Sequence, residues 1–228
     1  MLIAGLSTLV IFSGVSGEVM PHLIDLPLVD YYARAISSGN QEPQKALAML
    51  ELLLVPDGTQ VVADYSNLPA YARPSFKRGV ERGFDMWRMA LGDEFPFRLV
   101  DRATQPNPVG LRFVSIMPDS APDHKGEIKT TRKIQWNKSL HYSQFVASIS
   151  IAKFSVGQNL MTERDITHIT AHELGHGLGL GDVDNLEHIM GPVALGNAYA
   201  HINPDEVDAV MSFRRLVHSQ ISRIESRN

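Results

Sequence analysis

The chain of 228 residues contains no cysteine. That absence excludes a disulfide scaffold, a thiol nucleophile, a cysteine-ligated zinc site and an iron–sulfur centre. Any metal must therefore be held by His, Asp or Glu, and any side-chain nucleophile must be an oxygen or nitrogen group. Strong charge of either sign is also missing, since 21 Lys+Arg stand against 25 Asp+Glu for a formal net charge of −4. Such a balance supplies no general attraction to a phosphate backbone, and no nucleic-acid partner is expected. No apolar run reaches the roughly 20 residues that span a bilayer, so no stable membrane insertion is expected. With 44% hydrophobic residues, the length suits one domain with a sizeable core, and two full-sized domains would be crowded.

The first apolar stretch runs from Leu2 to Val15, with small residues interspersed, and is followed by Ser16, Gly17 and Glu18. It has the pattern of a secretory signal core ending near a small-residue cleavage site, without the basic residues that normally precede one. A short membrane anchor and a buried N-terminal segment are the competing readings. A signal at 1–17 implies a secreted or cell-envelope protein.

Residues 43–55 place apolar groups over much of a helical surface, and 56–60 read as a turn before the short apolar run Val61 to Ala63. From 74 to 91, Pro74 opens a helix whose Phe76, Val80, Phe84, Trp87 and Leu91 recur every three or four residues. Period-two patterns at 95–100, 110–117 and 128–136 predict strands, and 141–161 is an apolar insertion read as a further strand or a flap. A second helix is expected over 160–180, with Thr162 as N-cap and Asp165 closing a capping box, and a final one over 203–217 behind Asn203 and Pro204. The fold class is α+β.

The informative run is His172-Glu173-Leu174-Gly175-His176. One helical turn separates the two histidines, so both imidazoles leave one face and can converge on one zinc ion. Glu173 points about 100° away from His172, which suits a general base that contacts the attacking water without being a ligand. Glycines at 175, 177, 179 and 181 should end the helix soon after His176, and Gly179 can turn the chain so that Asp182 swings back as third ligand. Asp184 and His188 compete for that role. Three ligands at 168, 172 and 176 would stretch over about 12 Å of straight helix, so His168 is read as a supporting or surface residue.

His172, Glu173, His176, Gly179 and Asp182 match HExxHxxGxxD, and Met190 lies in IMGP at a familiar distance beyond. In this the chain resembles the metzincin clan of zinc metallopeptidases, matrixin-like through the methionine turn, with the Asp third ligand of snapalysin-type enzymes. The resemblance covers approximately residues 74–216 and is strongest over 168–192. It implies a zincin fold with a twisted mixed sheet, a long backing helix, an active-site helix, a methionine turn and a C-terminal helix carrying no catalytic group. It further implies a zinc-dependent endopeptidase with His172, His176 and Asp182 as metal ligands, Glu173 as catalytic base, and Met190 as the apolar floor. The substrate would be an extended polypeptide paired to an edge strand, for which 126–136 is the best candidate. Tyr199 is weighed as an oxyanion assistant against a packing role.

On this reading 1–17 is a signal segment, 18–70 an N-terminal extension or pro-segment, 71–220 the catalytic domain and 221–228 a tail. The cysteine-based latency of better-known matrixins is excluded. Calcium stays open through Asp119, Asp123 and Asp184, whose spacing matches no calcium loop. A weak or inactive zinc-containing peptide-binding domain and a nonmetallic structural or interaction domain are the alternatives.

Overall fold

A computed structural model describes residues 20–115, 117, 125–155, 158–193 and 201–227. The expectations for 1–17, and those for Asp119, Asp123 and Tyr199, lie outside these residues.

The architecture is α+β, a five-stranded mixed sheet with five α-helices. In chain order the elements are α1 (Leu26–Ser38), α2 (Pro43–Glu51), β1 (Thr59–Asp64), α3 (Arg73–Leu91), β2 (Phe97–Val100), β3 (Val109–Val114), β4 (Gly126–Trp136), β5 (His141–Ala152), α4 (Glu163–Gly177) and α5 (Pro204–Glu225). The strands lie in the order β2-β1-β3-β5-β4. The first four run parallel, and β4 is the outer strand, antiparallel to β5 from Gly126 opposite Ile151 to Trp136 opposite His141.

The aromatic stripe of α3 is core as expected, with Phe76, Val80, Phe84, Trp87 and Leu91 all buried. The same helix approaches α4 through Gly79 and Gly83. A Cβ at Gly79 would lie 2.7 Å from the Ile166 Cβ, and one at Gly83 would lie 2.7 Å from the Thr170 Cβ. Trp87 then pins the crossing by donating its indole N–H to the Ala171 carbonyl at 2.7 Å. The helix that carries the histidines is thus fixed to the back of the molecule.

Both terminal segments pack into the common core. Within 18–70, β1 sits between β2 and β3 and pairs with both. In sequence β1 shows only three apolar residues in a row, Val61 to Ala63, between the polar Gln60 and Asp64, a run too short to display an alternation. Helices α1 and α2 contribute Leu28, Val29, Tyr32, Leu47 and Leu50 to the same core. The tail expected from 221 is helical to Glu225, since Ile224 is buried against the α1–α2 connection, with its Cδ1 3.4 Å from where a Gly39 Cβ would be. The apolar stretch 141–161 is a strand over its first twelve residues.

Candidate metal centre

Helix α4 starts as its sequence predicts. Thr162 Oγ1 accepts the Asp165 N–H at 3.2 Å, while Asp165 Oδ2 accepts the Thr162 N–H at 2.9 Å, a reciprocal cap on two otherwise orphaned donors. The helix ends at Gly177, and Gly179 takes a φ of +103°, a conformation that L side chains rarely adopt. The chain turns there and brings Asp182 back over the last turn.

His172 Nε2, His176 Nε2 and an Asp182 carboxylate oxygen lie within 4.8 Å of one another, a group that could hold a metal ion. The separations are 3.1 Å between the two nitrogens, 3.2 Å from His172 to Asp182 Oδ1, and 3.4 Å from His176 to the same oxygen. A tetrahedral ion with ligand bonds of about 2.0–2.1 Å separates its ligand atoms by about 3.3–3.4 Å, so three donors already outline one face of that polyhedron. The tautomers fit as well. His172 Nδ1 donates to the Ile189 carbonyl and His176 Nδ1 to the Leu180 carbonyl, each at 2.9 Å. A carbonyl can only accept, so both Nδ1 atoms carry the hydrogen and both Nε2 lone pairs face inward. Two lone pairs 3.1 Å apart repel unless a cation or proton stands between them.

Charge within the trio follows from that geometry. Hydrogen bonds from His172 and His176 hold the Asp182 carboxyl well below the usual carboxylate range, against its partial burial. Burial opposes charging of His176, but hydrogen bonding to Asp182, the Glu173 charge and the Leu180 carbonyl outweigh it and push the imidazole up to about 9. The metal-free centre therefore keeps a proton in the place a cation would take.

Glu173 is 3% exposed and does not join the trio. Its carboxylate lies against the start of β4, where a Cβ at Gly126 would overlap Glu173 Oε1 and the Ile128 backbone supplies a hydrogen bond. Burial raises its pKa to about 7, with His172 and His176 pulling the other way. Gly126 is a residue that sequence reasoning missed as part of the site. Its only signal was a glycine opening a strand.

The competing ligands are placed elsewhere. Asp184 is exposed and outside the trio. His188 turns its ring nitrogens toward Asp205, at 3.7 Å, and Glu206, at 3.6 Å. His168 is 2% exposed with its ring centroid 6.5 Å from that of His172, and neither of its nitrogens meets hydrogen-bond geometry. Burial, and then the charge of His172, push its pKa down to about 4, so it is neutral at physiological pH.

Met190 is 1% exposed and packs its sulfur onto Gly175, in the helical turn between the two histidines, where a Cβ would overlap Sδ. The backbone beside it is held from α5. Glu206 is fully buried. It accepts the Met190 N–H at 2.9 Å on one carboxylate oxygen, and the Ile189 N–H at 3.3 Å and the Asn203 N–H at 2.8 Å on the other. Since the Ile189 carbonyl orients His172, the last helix supports the centre, where the sequence predicted only a cover for the core. In sequence, Asn203 followed by Glu206 reads as an ordinary capping box, and nothing there announces that the same carboxylate also binds a loop 16 residues upstream. The third-ligand turn is supported from the other end of the chain. Ile24 forms an antiparallel bridge with Leu180, the Asp25 N–H donates to the Gly179 carbonyl and the Gly181 N–H donates to the Leu23 carbonyl, both at 2.9 Å.

Fold and site together define an α+β protein with a His–His–Asp trio that could hold a metal ion. The chain matches no protein-family model and no curated protein.

Proposed function

We propose that this chain is a zinc-dependent endopeptidase of metzincin type that acts on extended polypeptide. One observation carries the reading: the inward-facing donors of His172, His176 and Asp182 converge beside a buried Glu173 that lies against the outer strand β4. The order of the elements, with the donor helix directly after β5 and Met190 packed beneath its last turns, also supports it.

In this reading His172, His176 and Asp182 hold the ion. When bound, zinc supplies the Lewis acidity that polarises a scissile carbonyl and acidifies a ligated water. Glu173 takes the proton of the attacking water and returns it to the leaving amine nitrogen. Among the described residues no strand pairs with the outer side of β4, which offers backbone N–H and C=O groups along which a peptide can be aligned as an added strand. The low polarity around Glu173 favours its neutral form, which suits a group that must hold a proton between two steps. The apolar run at 2–15 supports a place outside the cytoplasm, secreted or in the cell envelope.

The test is zinc stoichiometry together with cleavage of denatured casein by the parent chain and Glu173→Gln. Zinc-dependent cleavage lost in the variant supports the reading. Identical behaviour of the two proteins overturns it. Stoichiometric zinc with bound but uncut peptide selects a peptide-binding domain, and no zinc at all selects a nonmetallic one.

A further inference from the structure

Seven large apolar side chains stand exposed among the described residues, and three of them fall within the seven-residue tip of the β4–β5 hairpin: Trp136, Leu140 and Tyr142, at 43%, 68% and 55% exposure. The tip is ordered. Asn137 donates its N–H to the Leu140 carbonyl at 2.8 Å, and its side-chain oxygen accepts the Ser139 and Leu140 N–H groups at 2.9 Å each. Trp136 pairs across the hairpin with His141, and Tyr142 pairs with Gln135, so the two rings emerge on opposite faces with Leu140 in the turn between them. Helix α2 clasps the base of the tip, where His141 is bound by Gln44 and Glu51 at 2.8 Å each.

The same segment concentrates positive charge. From Gly126 to Ala152 the hairpin holds four Lys or Arg and one acid, a surplus of three in a chain whose formal net charge is −4, so the rest of the chain carries −7. The one acid, Glu127, is paired with Lys129 at 3.4 Å. Lys133 and Lys138 flank the apolar tip, while Lys45 of α2, which reaches over the Trp136 ring at 5.2 Å, is neutralised by its pairing with Glu42 at 2.8 Å.

We propose that the hairpin tip docks this protein on an anionic lipid surface, with Trp136, Leu140 and Tyr142 entering the headgroup region and Lys133 and Lys138 facing lipid phosphates. Three side chains are too few for a stable contact between folded proteins, which takes about 800 Å² from each partner. A lipid surface needs only a few apolar groups set among lysines. Trp and Tyr favour the headgroup level, and each lysine there strengthens binding to anionic lipid about fivefold. Docking of this kind is peripheral; among the described residues no helix is long and apolar enough to cross a membrane. It is independent of the metal centre.

The experiment is flotation of the full chain with vesicles of phosphatidylcholine alone and of phosphatidylcholine mixed with phosphatidylserine. The expected result is binding to the mixed vesicles only, weakening with salt, accompanied by a blue shift in tryptophan emission. That shift reports Trp136, because Trp87, the chain's other tryptophan, is fully buried. Trp136→Ser combined with Leu140→Ser should reduce binding more than tenfold with no change in thermal melting. Lys133→Glu combined with Lys138→Glu should reduce it by a similar factor. The apolar residues 2–15 are common to parent and variants, so binding that persists equally in the tip variants overturns the proposal. Absence of binding to mixed vesicles overturns it too, as does self-association abolished by the tip substitutions, or tip-dependent binding to polyglutamate without lipid.

Discussion

Glu206→Gln isolates the support that α5 gives to the metal centre. The substitution keeps shape and removes one of two acceptor oxygens. With the amide nitrogen at Oε1, the side chain still accepts from Ile189 and Asn203 but sets an NH₂ against the Met190 N–H; in the other orientation two bonds are lost in place of one. The cheaper orientation therefore forfeits the 2.9 Å bond to Met190, a residue 1% exposed whose N–H has no ready access to water. A hydrogen bond to a charged group contributes about 1.5–3 kcal/mol, and the opposed donors add to the loss, so about 2–4 kcal/mol is expected in denaturant unfolding of the zinc-free chain.

The displacement should pass through the Ile189 carbonyl to His172 Nδ1 and so to the donor nitrogen. Loss of an outer partner of a metal-binding histidine typically weakens metal affinity about 10–100-fold. Competition with a chromophoric chelator measures that, and the visible spectrum of the cobalt-substituted protein should shift with it. Asn203→Ala is the control. It removes the Asn203 side-chain bond to the Glu187 carbonyl and the N-cap of α5, at about 1 kcal/mol, and leaves the Met190 and Ile189 contacts in place. If Glu206→Gln is destabilised while zinc affinity and the cobalt spectrum match the parent, Glu206 is a helix cap and nothing more.

Asp182→Ala should lose stoichiometric zinc on dialysis while keeping the fold by circular dichroism, with a modest fall in the melting temperature of the metal-free chain at neutral pH because the carboxylate that holds the His176 proton is gone. Glu173→Gln should keep zinc and lose about 10²–10⁴-fold in casein cleavage, the usual range for a positioned general base. Zinc affinity should rise with pH toward about 9, as His176 gives up the proton that its neighbours hold there. The sign for the metal-free chain is opposite. A folded pKa above the ordinary histidine value gives stability that is complete below about 6.5 and is lost as pH rises through about 9, which unfolding curves across that window would detect. Asp25→Pro removes the N–H that holds the Gly179 carbonyl while tolerating the observed φ of −57°; relative to Asp25→Ala, which lacks the same carboxylate, it should weaken zinc binding about three- to tenfold by chelator competition, and equal affinities would detach residues 23–25 from the centre.

How much of this was legible depended on whether the deciding contacts were local. His172, Glu173 and His176 share one helix, its capping box is written in Thr162 and Asp165, and the return of Asp182 follows from a glycine three residues beyond the last histidine; all of that is short-range. The outer strand was legible as a strand candidate over 128–136, and its outer place was what the family resemblance implied. β1 was not, because its apolar run is only three residues long and its partners lie 38 or more residues away. Glu206 and Gly126 were missed for a related reason. Each has an ordinary local meaning, a cap and a strand opening, and acquires its second role only through a segment distant in sequence.

The candidate metal centre is assembled from four separated stretches of chain. His172 and His176 come from α4, yet the carbonyls that fix their tautomers belong to Ile189 and Leu180, and those are held in turn by Glu206 and by residues 23–25. The two histidines can be preorganised only when residues 23–25 and the last helix are both in place. The backbone before Asp182 is anchored at 179–181, but its side chain is 77% exposed, the most exposed of the three donors. The energetic consequence is an unequal division: the protein fold supplies the geometry of two nitrogens in advance, and the carboxylate is the donor that the ion itself must gather. Metal binding should therefore order the Asp182 side chain more than either histidine. A truncation that removes residues up to 25, although it deletes no ligand, should impair the histidine pair through Leu180 before it disturbs the helix that carries them.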